Sequence, residues 1–120
     1  MKLRGLMLNS GDVVYVELGM PAGREAGFRH PTVVVTAQTI LDAAPTVVHV
    51  VPLTTTLRGF STEVLIDADS QTGLRQRSAA QCQHVRSVSP TRLGEPLGNV
   101  GPATLAQLRE MLAIIFDFPQ

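Results

Sequence analysis

The stretch "PTVVVTA", residues 31–37, decides the fold of this chain. It is a continuous apolar, β-branched run of strand length, without the polar alternation that marks a half-exposed strand. A second run of the same kind, "TVVHVVPLT", follows at residues 46–54. Both runs predict strands that are covered on both faces or closed into a barrel, so a β-sheet is expected at the centre of the molecule.

Three more segments favour strands around these two runs. They are "VVYVEL" at 13–18, "TEVLIDA" at 62–68 and, more weakly, "SAAQCQHVRSVS" at 78–89. Most connections are short and rich in turn residues, which favours antiparallel pairing over the β–α–β crossovers of a parallel sheet. A long loop is predicted over "GMPAGREAGFRH" (19–30), which contains three glycines and a proline, and a short helical turn over "QTILDAAP" (38–45).

The C-terminal segment "GPATLAQLREMLAIIFDFP" has the period of an amphipathic helix. Pro102 suits its first turn, where an N–H group has no helical partner, and Pro119 marks the point before which the helix ends. The apolar residues of one face are spaced three and four apart: Leu105, Leu108, Met111, Leu112 and Ile115. The helix is expected to pack on, or beside, a small β-barrel, and residues 1–120 are expected to form a single domain that is mainly β with α.

The composition narrows the function class. The chain has 120 residues, a formal net charge of zero and 44% hydrophobic residues, which excludes a general polycationic coat protein for nucleic acid. Nine of its ten basic residues are arginine, whose planar fork suits bidentate contacts with phosphate, although a high-GC codon bias would give the same ratio. Cys82 is alone, so neither an intrachain disulfide nor a cysteine-based metal site is expected. The absence of a signal-like or membrane-spanning segment predicts a cytoplasmic protein.

Two polar stretches at strand ends are candidates for a site. "AGREAGFRHP", residues 22–31, carries charged residues between glycines, and "VPLTTTLRGFSTEV", residues 51–64, carries three threonines ahead of Arg58. Hydroxyls beside an arginine at a strand end form a cradle for a phosphate or an oxyanion. The alternatives are a solvated hairpin for the first stretch and ordinary strand threonines for the second. His49, inside an apolar strand, is expected to be structural or part of a dimer surface.

Taken together, these blocks resemble the MazF/PemK family of toxin endoribonucleases. The resemblance is carried in order by "SGDVVYVEL", "GREAG", "RHP", "TVVVT", "VPLTTTLRGFSTEV", "CQHVRSVS" and "RLGEPLGNV". It implies a small SH3-like antiparallel β-barrel with a C-terminal helix, usually a homodimer. It also implies a toxin that needs no metal or cofactor, cleaves single-stranded RNA, whether mRNA, rRNA or tRNA, at short sequences to stop translation and growth, and is neutralised by a small MazE-like antitoxin.

The resemblance also assigns roles to residues. The catalytic threonine of the family falls on Thr54, and the glutamate of its loop falls on Glu25. The family has an arginine immediately before the strand proline, whereas this chain reads Arg29, His30 and Pro31. An ungapped comparison puts His30 in the arginine's position, and a one-residue loop shift restores Arg29. We hypothesise that Arg29 clamps the phosphate, Thr54 donates to a phosphate oxygen and His30 is a general acid or base.

The remaining residues of these blocks are expected to line the RNA groove. They are Arg24, Glu25, Thr55, Thr56, Arg58, His84 and Arg86. The alternative function on the same fold is a CcdB-like toxin that poisons DNA gyrase, or a binding module without catalysis. A gyrase poison would depend on the C-terminal tail "IIFDFPQ" rather than on the threonine block.

Overall fold

The computed structural model describes residues 1–3, 5–17 and 29–119. The elements of this part of the chain are β1 (Lys2–Leu3), β2 (Leu6–Met7), β3 (Asp12–Glu17), β4 (Arg29–Val34), α1 (Gln38–Asp42), β5 (Val48–Thr54), β6 (Glu63–Ile66), β7 (Ser78–Gln81), β8 (Arg86–Val88), β9 (Leu93–Asn99) and α2 (Pro102–Ile115), with 3₁₀ turns at Cys82–His84 and Pro90–Arg92. None of the helices in these described ranges is long and apolar enough to cross a membrane.

The main sheet is antiparallel and has the strand order β6-β7-β5-β4-β3-β9, with β8 also paired to β5. The predicted class, mainly β with a C-terminal helix, is confirmed. The closed barrel is not formed, because the end strands β6 and β9 do not pair with each other in the described residues. Helix α2 packs instead against β6 and the 3₁₀ turn Cys82–His84, and so covers apolar surface that a closed barrel would enclose.

Strand alternation gives the central strands two buried faces. Val33 and Val51 belong to the cluster that includes α2, and we call their side of the sheet the α2 face. Val34 and Val50 belong to the cluster that includes Leu41 of α1, and we call their side the α1 face. All four valines have no exposed surface, which explains why the two decisive runs are continuously apolar rather than alternating.

Strand β4 begins two residues earlier than the sequence suggested. Arg29 and His30 were predicted to end a loop, and that prediction was wrong, because they pair with Glu17 and Val16 of β3. Backbone pairing with a neighbouring strand overrides a turn-like local composition. The rest of the predicted loop, together with Arg24 and Glu25, lies outside the described residues.

The predicted strand at 78–89 is two strands separated by a 3₁₀ turn. β7 pairs with the end of β5 and with β6, whereas β8 pairs with the beginning of β5. One edge of a long strand is thus shared by two short partners, and the turn between them carries Cys82 and His84. The local composition of the segment does not reveal this break.

Strand β9 was not predicted, because Gly94, Pro96 and Gly98 interrupt its pattern. Proline and glycine are tolerated at sheet edges and irregular pairings. β9 is such an edge strand, and its pairing with β3 shifts register twice.

Helix α2 confirms the predicted terminal helix and its apolar face. Pro102 lies in the first turn, and Leu105 and Leu108 are buried in the core. The other residues of the predicted face pack against that core while remaining half-buried. The helix ends at Ile115, and Asp117 has a left-handed backbone with φ 57°. Pro119 restricts only the residue directly before it, so the helix ends earlier than the proline alone requires.

Candidate active site

Arg29 and His30 point to opposite faces of the sheet, because they are neighbours in one strand. Arg29 has the parity of Val33 and therefore lies on the α2 face. His30 has the parity of Val34 and lies on the α1 face. The two candidates for the same catalytic position are therefore separated by the sheet.

Thr54 lies on the same face as His30. β4 pairs with β5 through Thr32 and Pro52, with the register running antiparallel. The same register continued by two residues brings His30 opposite Thr54, and facing residues of adjacent strands share a face. Arg29 does not share that face.

The ladder between β4 and β5 ends just before His30 and Thr54. The prolines Pro31 and Pro52 lack the N–H groups that extend a ladder. Beyond Pro52, β5 pairs on its other side, with Thr54 opposite Ala79 of β7. His30 and Thr54 are each half-buried, so their polar atoms are held by the sheet and are still reachable by a substrate.

The hydroxyl of Thr54 is oriented by its own chain. The backbone N–H of Thr56 donates to Thr54 Oγ1 over 3.1 Å. Because that oxygen already accepts a hydrogen bond, its own O–H remains to donate elsewhere. The arrangement suits a donor to a phosphate oxygen placed beyond the end of β5.

Arg29 stacks on an aromatic ring on the α2 face. Its Cζ lies 4.5 Å from the centroid of the Tyr15 ring, a cation–π distance. Tyr15 is half-buried, and Arg29 is exposed. Stacking restrains the guanidinium while leaving its N–H edge available for a phosphate.

A groove opens beside this stacked pair, with a volume of about 430 Å³. We call it the Tyr15 groove. It is lined by Tyr15, Pro31, Thr55, Gly73, Leu74, Arg75, Gln76, Ser78 and Leu97. Sequence reasoning placed only Thr55 of these near a site. The alternation "VVYVE" was a usable signal for Tyr15, because it singles out one aromatic residue between buried valines.

The predicted RNA-binding residues are only partly brought together. Thr55 and Thr56 are exposed directly after Thr54, and Thr55 lines the Tyr15 groove. Arg58 is exposed in the following segment, where its Cζ lies 5.4 Å from the centroid of the Phe60 ring. These residues therefore extend the polar surface that begins at Thr54.

His84 and Arg86 lie further along the β7–β8 edge. His84 ends the 3₁₀ turn, and Arg86 pairs with Val50 of β5. Val50 precedes Thr54 by four residues, which is about 13 Å along a strand. Arg86 lines a different groove of about 450 Å³, so the structure does not bring it to the threonine block.

This second groove, which we call the Phe116 groove, is mostly apolar. It is lined by Val35, His49, Val85, Arg86, Ser87, Leu112, Phe116 and Phe118. His49 is exposed there, on the α2 face of β5. That position agrees with one of the two roles expected of His49, a place on a surface between subunits.

Cys82 is fully buried, and burial raises the pKa of its thiol to about 11, with the Glu63 carboxylate adding to the effect. A thiol in that state is a poor nucleophile, so Cys82 is not part of the candidate site. Among the described residues there is also no group of three or more His, Cys, Asp or Glu side chains that could hold a metal ion.

Known proteins are similar to this chain in fold and in sequence. Residues 9–116 match the family of PemK-like, MazF-like toxins of type II toxin–antitoxin systems. The chain is 34% identical over 116 residues to endoribonuclease MazF9 of Mycobacterium tuberculosis (strain ATCC 25618 / H37Rv), covering 92% of this chain and 98% of the relative. It superposes on Mycobacterium tuberculosis toxin MazF-mt6 with a TM-score of 0.72 and 25% identity, over 91% of this chain and 99% of that one.

A further solved structure is an endoribonuclease in complex with its cognate antitoxin from a mycobacterial species. It superposes with a TM-score of 0.73 and 24% identity, covering 95% of this chain and 99% of that one. At that identity the likeness concerns the fold alone.

Proposed function

Because this chain belongs to the PemK-like, MazF-like toxins of type II toxin–antitoxin systems, we propose that it is a metal-independent endoribonuclease of single-stranded RNA, with its reaction centre at His30 and Thr54. The observation that carries the assignment of residues is the face that these two side chains share at adjacent strand ends. Cleavage of cellular RNA stops translation and growth, which requires the toxin to act in the cytoplasm.

The protein must provide three catalytic functions for this reaction. The O2′ of the substrate loses its proton and bonds to phosphorus, while the bond from phosphorus to O5′ breaks and O5′ takes a proton. The products are a 2′,3′-cyclic phosphate and a free 5′-hydroxyl. A base must accept the first proton, an acid must supply the second, and hydrogen-bond donors must stabilise the charge on the pentacoordinate phosphate.

His30 suits the proton transfers. Histidine exchanges protons near neutral pH, which arginine does poorly. Its place beside Thr54 lets the imidazole and the Thr54 hydroxyl reach one phosphate from neighbouring strands. Arg29, across the sheet, then holds an adjacent part of the RNA backbone rather than the scissile phosphate. The residues proposed to bind RNA around this centre are Arg24, Glu25, Thr55, Thr56, Arg58 and His84. Arg86 lies apart from them, in the Phe116 groove.

Cleavage of a long single-stranded RNA in EDTA tests this assignment. We expect His30→Ala to reduce kcat by about 100-fold or more, the usual contribution of a general acid or base. Thr54→Ala should lower kcat by about 100- to 1,000-fold, because it removes one donor to the phosphate. Glu110→Ala is the control, since Glu110 is exposed on α2 and lines neither the Tyr15 groove nor the Phe116 groove.

Free imidazole separates chemistry from structure. Added imidazole should restore part of the activity of His30→Ala and none of that of Thr54→Ala, because only the first variant lacks a proton carrier. Full activity of His30→Ala would contradict the proposed centre. Intact RNA accompanied by inhibition of DNA gyrase would favour the gyrase poison instead.

The cognate partner is proposed to be a MazE-like antitoxin. A solved relative of the same fold is described as bound to its cognate antitoxin. An acidic, disordered peptide that lies where RNA would lie would suit an arginine-bearing surface. Expression of this chain alone should arrest growth, and co-expression of the product of the neighbouring gene should relieve the arrest. Residues 1–120 are proposed to act as one domain, with two copies as the working unit.

A further inference from the structure

The Tyr15 groove lies next to the proposed reaction centre but on the other face of the sheet. Thr55 lines the groove and directly follows Thr54. Arg29 stacks on the groove residue Tyr15 and directly precedes His30. The Tyr15 groove and the proposed reaction centre are therefore only one residue apart along each of β4 and β5. An RNA strand that crosses the ends of these two strands would contact both.

The segment that follows β6, residues 67–78, forms the outer wall of this groove and is held by hydrogen bonds. Two N–H groups, from Gln71 and Thr72, donate to Asp69 Oδ1 over 2.9 and 2.8 Å. The buried Thr72 hydroxyl donates to the Asp67 carbonyl over 2.9 Å. The N–H of Asn99 in β9 donates to the Gln71 carbonyl over 2.8 Å, which ties the wall to the sheet. A pre-formed wall lowers the conformational entropy lost on binding.

Two glycines let this wall approach β9 closely. A Cβ on Gly98 would lie 2.2 Å from the Gln71 carbonyl oxygen. A Cβ on Gly73 would lie 2.2 Å from the Leu97 carbonyl oxygen. Because both neighbouring atoms belong to the backbone, no side-chain rotation could relieve such a clash, so only glycine fits at these two positions.

The lining has the chemistry of a base-binding site. Pro31, Leu74 and Leu97 supply apolar surface, and Tyr15 supplies a flat ring. Stacking on such rings binds bases of any sequence, whereas a side-chain amide such as that of Gln76 can read a base edge through a donor and an acceptor. A volume of about 430 Å³ lies in the range of small-molecule sites.

The charges around the groove favour an anionic ligand. Arg75 and Gln76 are exposed on the wall, and Arg29 is exposed beside it. In the described part of the chain, neither arginine has a carboxylate oxygen within 4.0 Å. The neighbouring Arg77, by contrast, is paired with Asp67 over 3.4 Å. Two arginines that no described carboxylate pairs with, beside a flat slot, fit a nucleotide whose phosphate lies on Arg29 and whose base lies beside Arg75 and Gln76.

We propose that the Tyr15 groove binds the base of a nucleotide flanking the scissile phosphate and that Gln76 and Arg75 determine which base is preferred. This inference rests on the proposed function for the identity of the ligand as RNA. It assigns sequence preference to a wall that follows β6 in the chain, rather than to the residues that carry the reaction.

Selection from a random single-stranded RNA pool tests the inference without relying on cleavage. The protein carries His30→Ala so that bound RNA stays intact, and enriched sequences are compared with those of the same protein bearing Gln76→Ala or Arg75→Ala. We expect one enriched base position to lose its preference in the Gln76→Ala protein, by about tenfold. Arg77→Ala is the matched control, because it is an adjacent arginine outside the groove.

The outcomes separate this inference from the proposed function. An unchanged preference in both groove variants overturns the inference, as does uniform weakening at every position. A base preference that depends on Gln76, found in a protein whose wild-type form leaves RNA intact, supports the groove and overturns the proposed nuclease. Loss of antitoxin binding in these variants with unchanged RNA selection would assign the groove to the protein partner and overturn the inference.

Discussion

At the scale of single residues, Cys82 shows how burial sets a chemical state. The side chain has no exposed surface, and desolvation is the main reason that its pKa rises from 9.0 to about 11. The fold therefore holds the neutral thiol. In the unfolded chain the thiol loses its proton at lower pH, so raising the pH favours the unfolded state.

This linkage predicts an alkaline loss of stability with a defined window. The stabilisation is intact below pH 9.0 and is lost as the pH rises towards about 11. At pH 10.5 the free energy of unfolding should have fallen by about 2 kcal/mol more in the wild type than in Cys82→Ala. Urea unfolding of both proteins at pH 8 and 10.5 measures the difference. Equal losses in the two proteins would show that the thiol does not titrate on unfolding.

The direction of a side chain was the hardest property to predict from sequence. The residue types at 29 and 30 were available, and their roles could be stated as alternatives. Which of them shares a face with Thr54 depends on the register with β5, and register is a tertiary property. Tyr15 was missed for the same reason, because its significance depends on Arg29 and on a wall that comes from residues 73–78.

At the scale of elements, the long apolar runs and the terminal helix were predictable, because a periodic pattern over many residues outweighs local irregularities. Strand β9 was not, since Gly94, Pro96 and Gly98 weaken the pattern of any strand. Of these residues, Gly98 is the one that lets β9 accept the wall of the Tyr15 groove at close range.

Gly73 and Gly59 form a matched pair for testing this packing. Their φ angles are +70° and +71°, so an added side chain causes similar backbone strain at both positions. Only at Gly73 would the Cβ clash, whereas nothing lies within 4 Å at Gly59. We expect Gly59→Ala to destabilise the fold by about 1 kcal/mol and Gly73→Ala by at least ~2 kcal/mol more. Equal values in urea unfolding would mean that the wall moves freely away from β9.

At the scale of the whole molecule, family membership confirmed the reading of the sequence blocks, which matched in order along most of the chain. The family can be recognised from many residues spread along the chain. An error in one element, such as the missed strand β9, therefore does not affect the recognition. The open edge between β6 and β9 was not predictable in this way, since closure depends on how far the strands curve and on where α2 packs.

The expected homodimer remains a prediction, and the Phe116 groove is where we expect the two copies to meet. Ile114, Phe116 and Phe118 are 55%, 51% and 62% exposed, which is unusual for adjacent large apolar side chains. Sedimentation equilibrium should give a dimer for the wild type and a monomer for the double variant Phe116→Ser with Phe118→Ser. Phe60→Ser is the control, because Phe60 is 50% exposed but lies outside the groove. A monomeric wild type at micromolar concentration would contradict the expectation.

The opposite directions of Arg29 and His30 have a consequence for descent. Single-base changes interconvert arginine and histidine codons, so a lineage can reach the reversed order through an Arg-Arg or a His-His ancestor. Each such intermediate keeps a basic side chain on both faces of the sheet. The order of these two adjacent letters therefore decides which basic group lies on the face of Thr54 and which lies beside Tyr15.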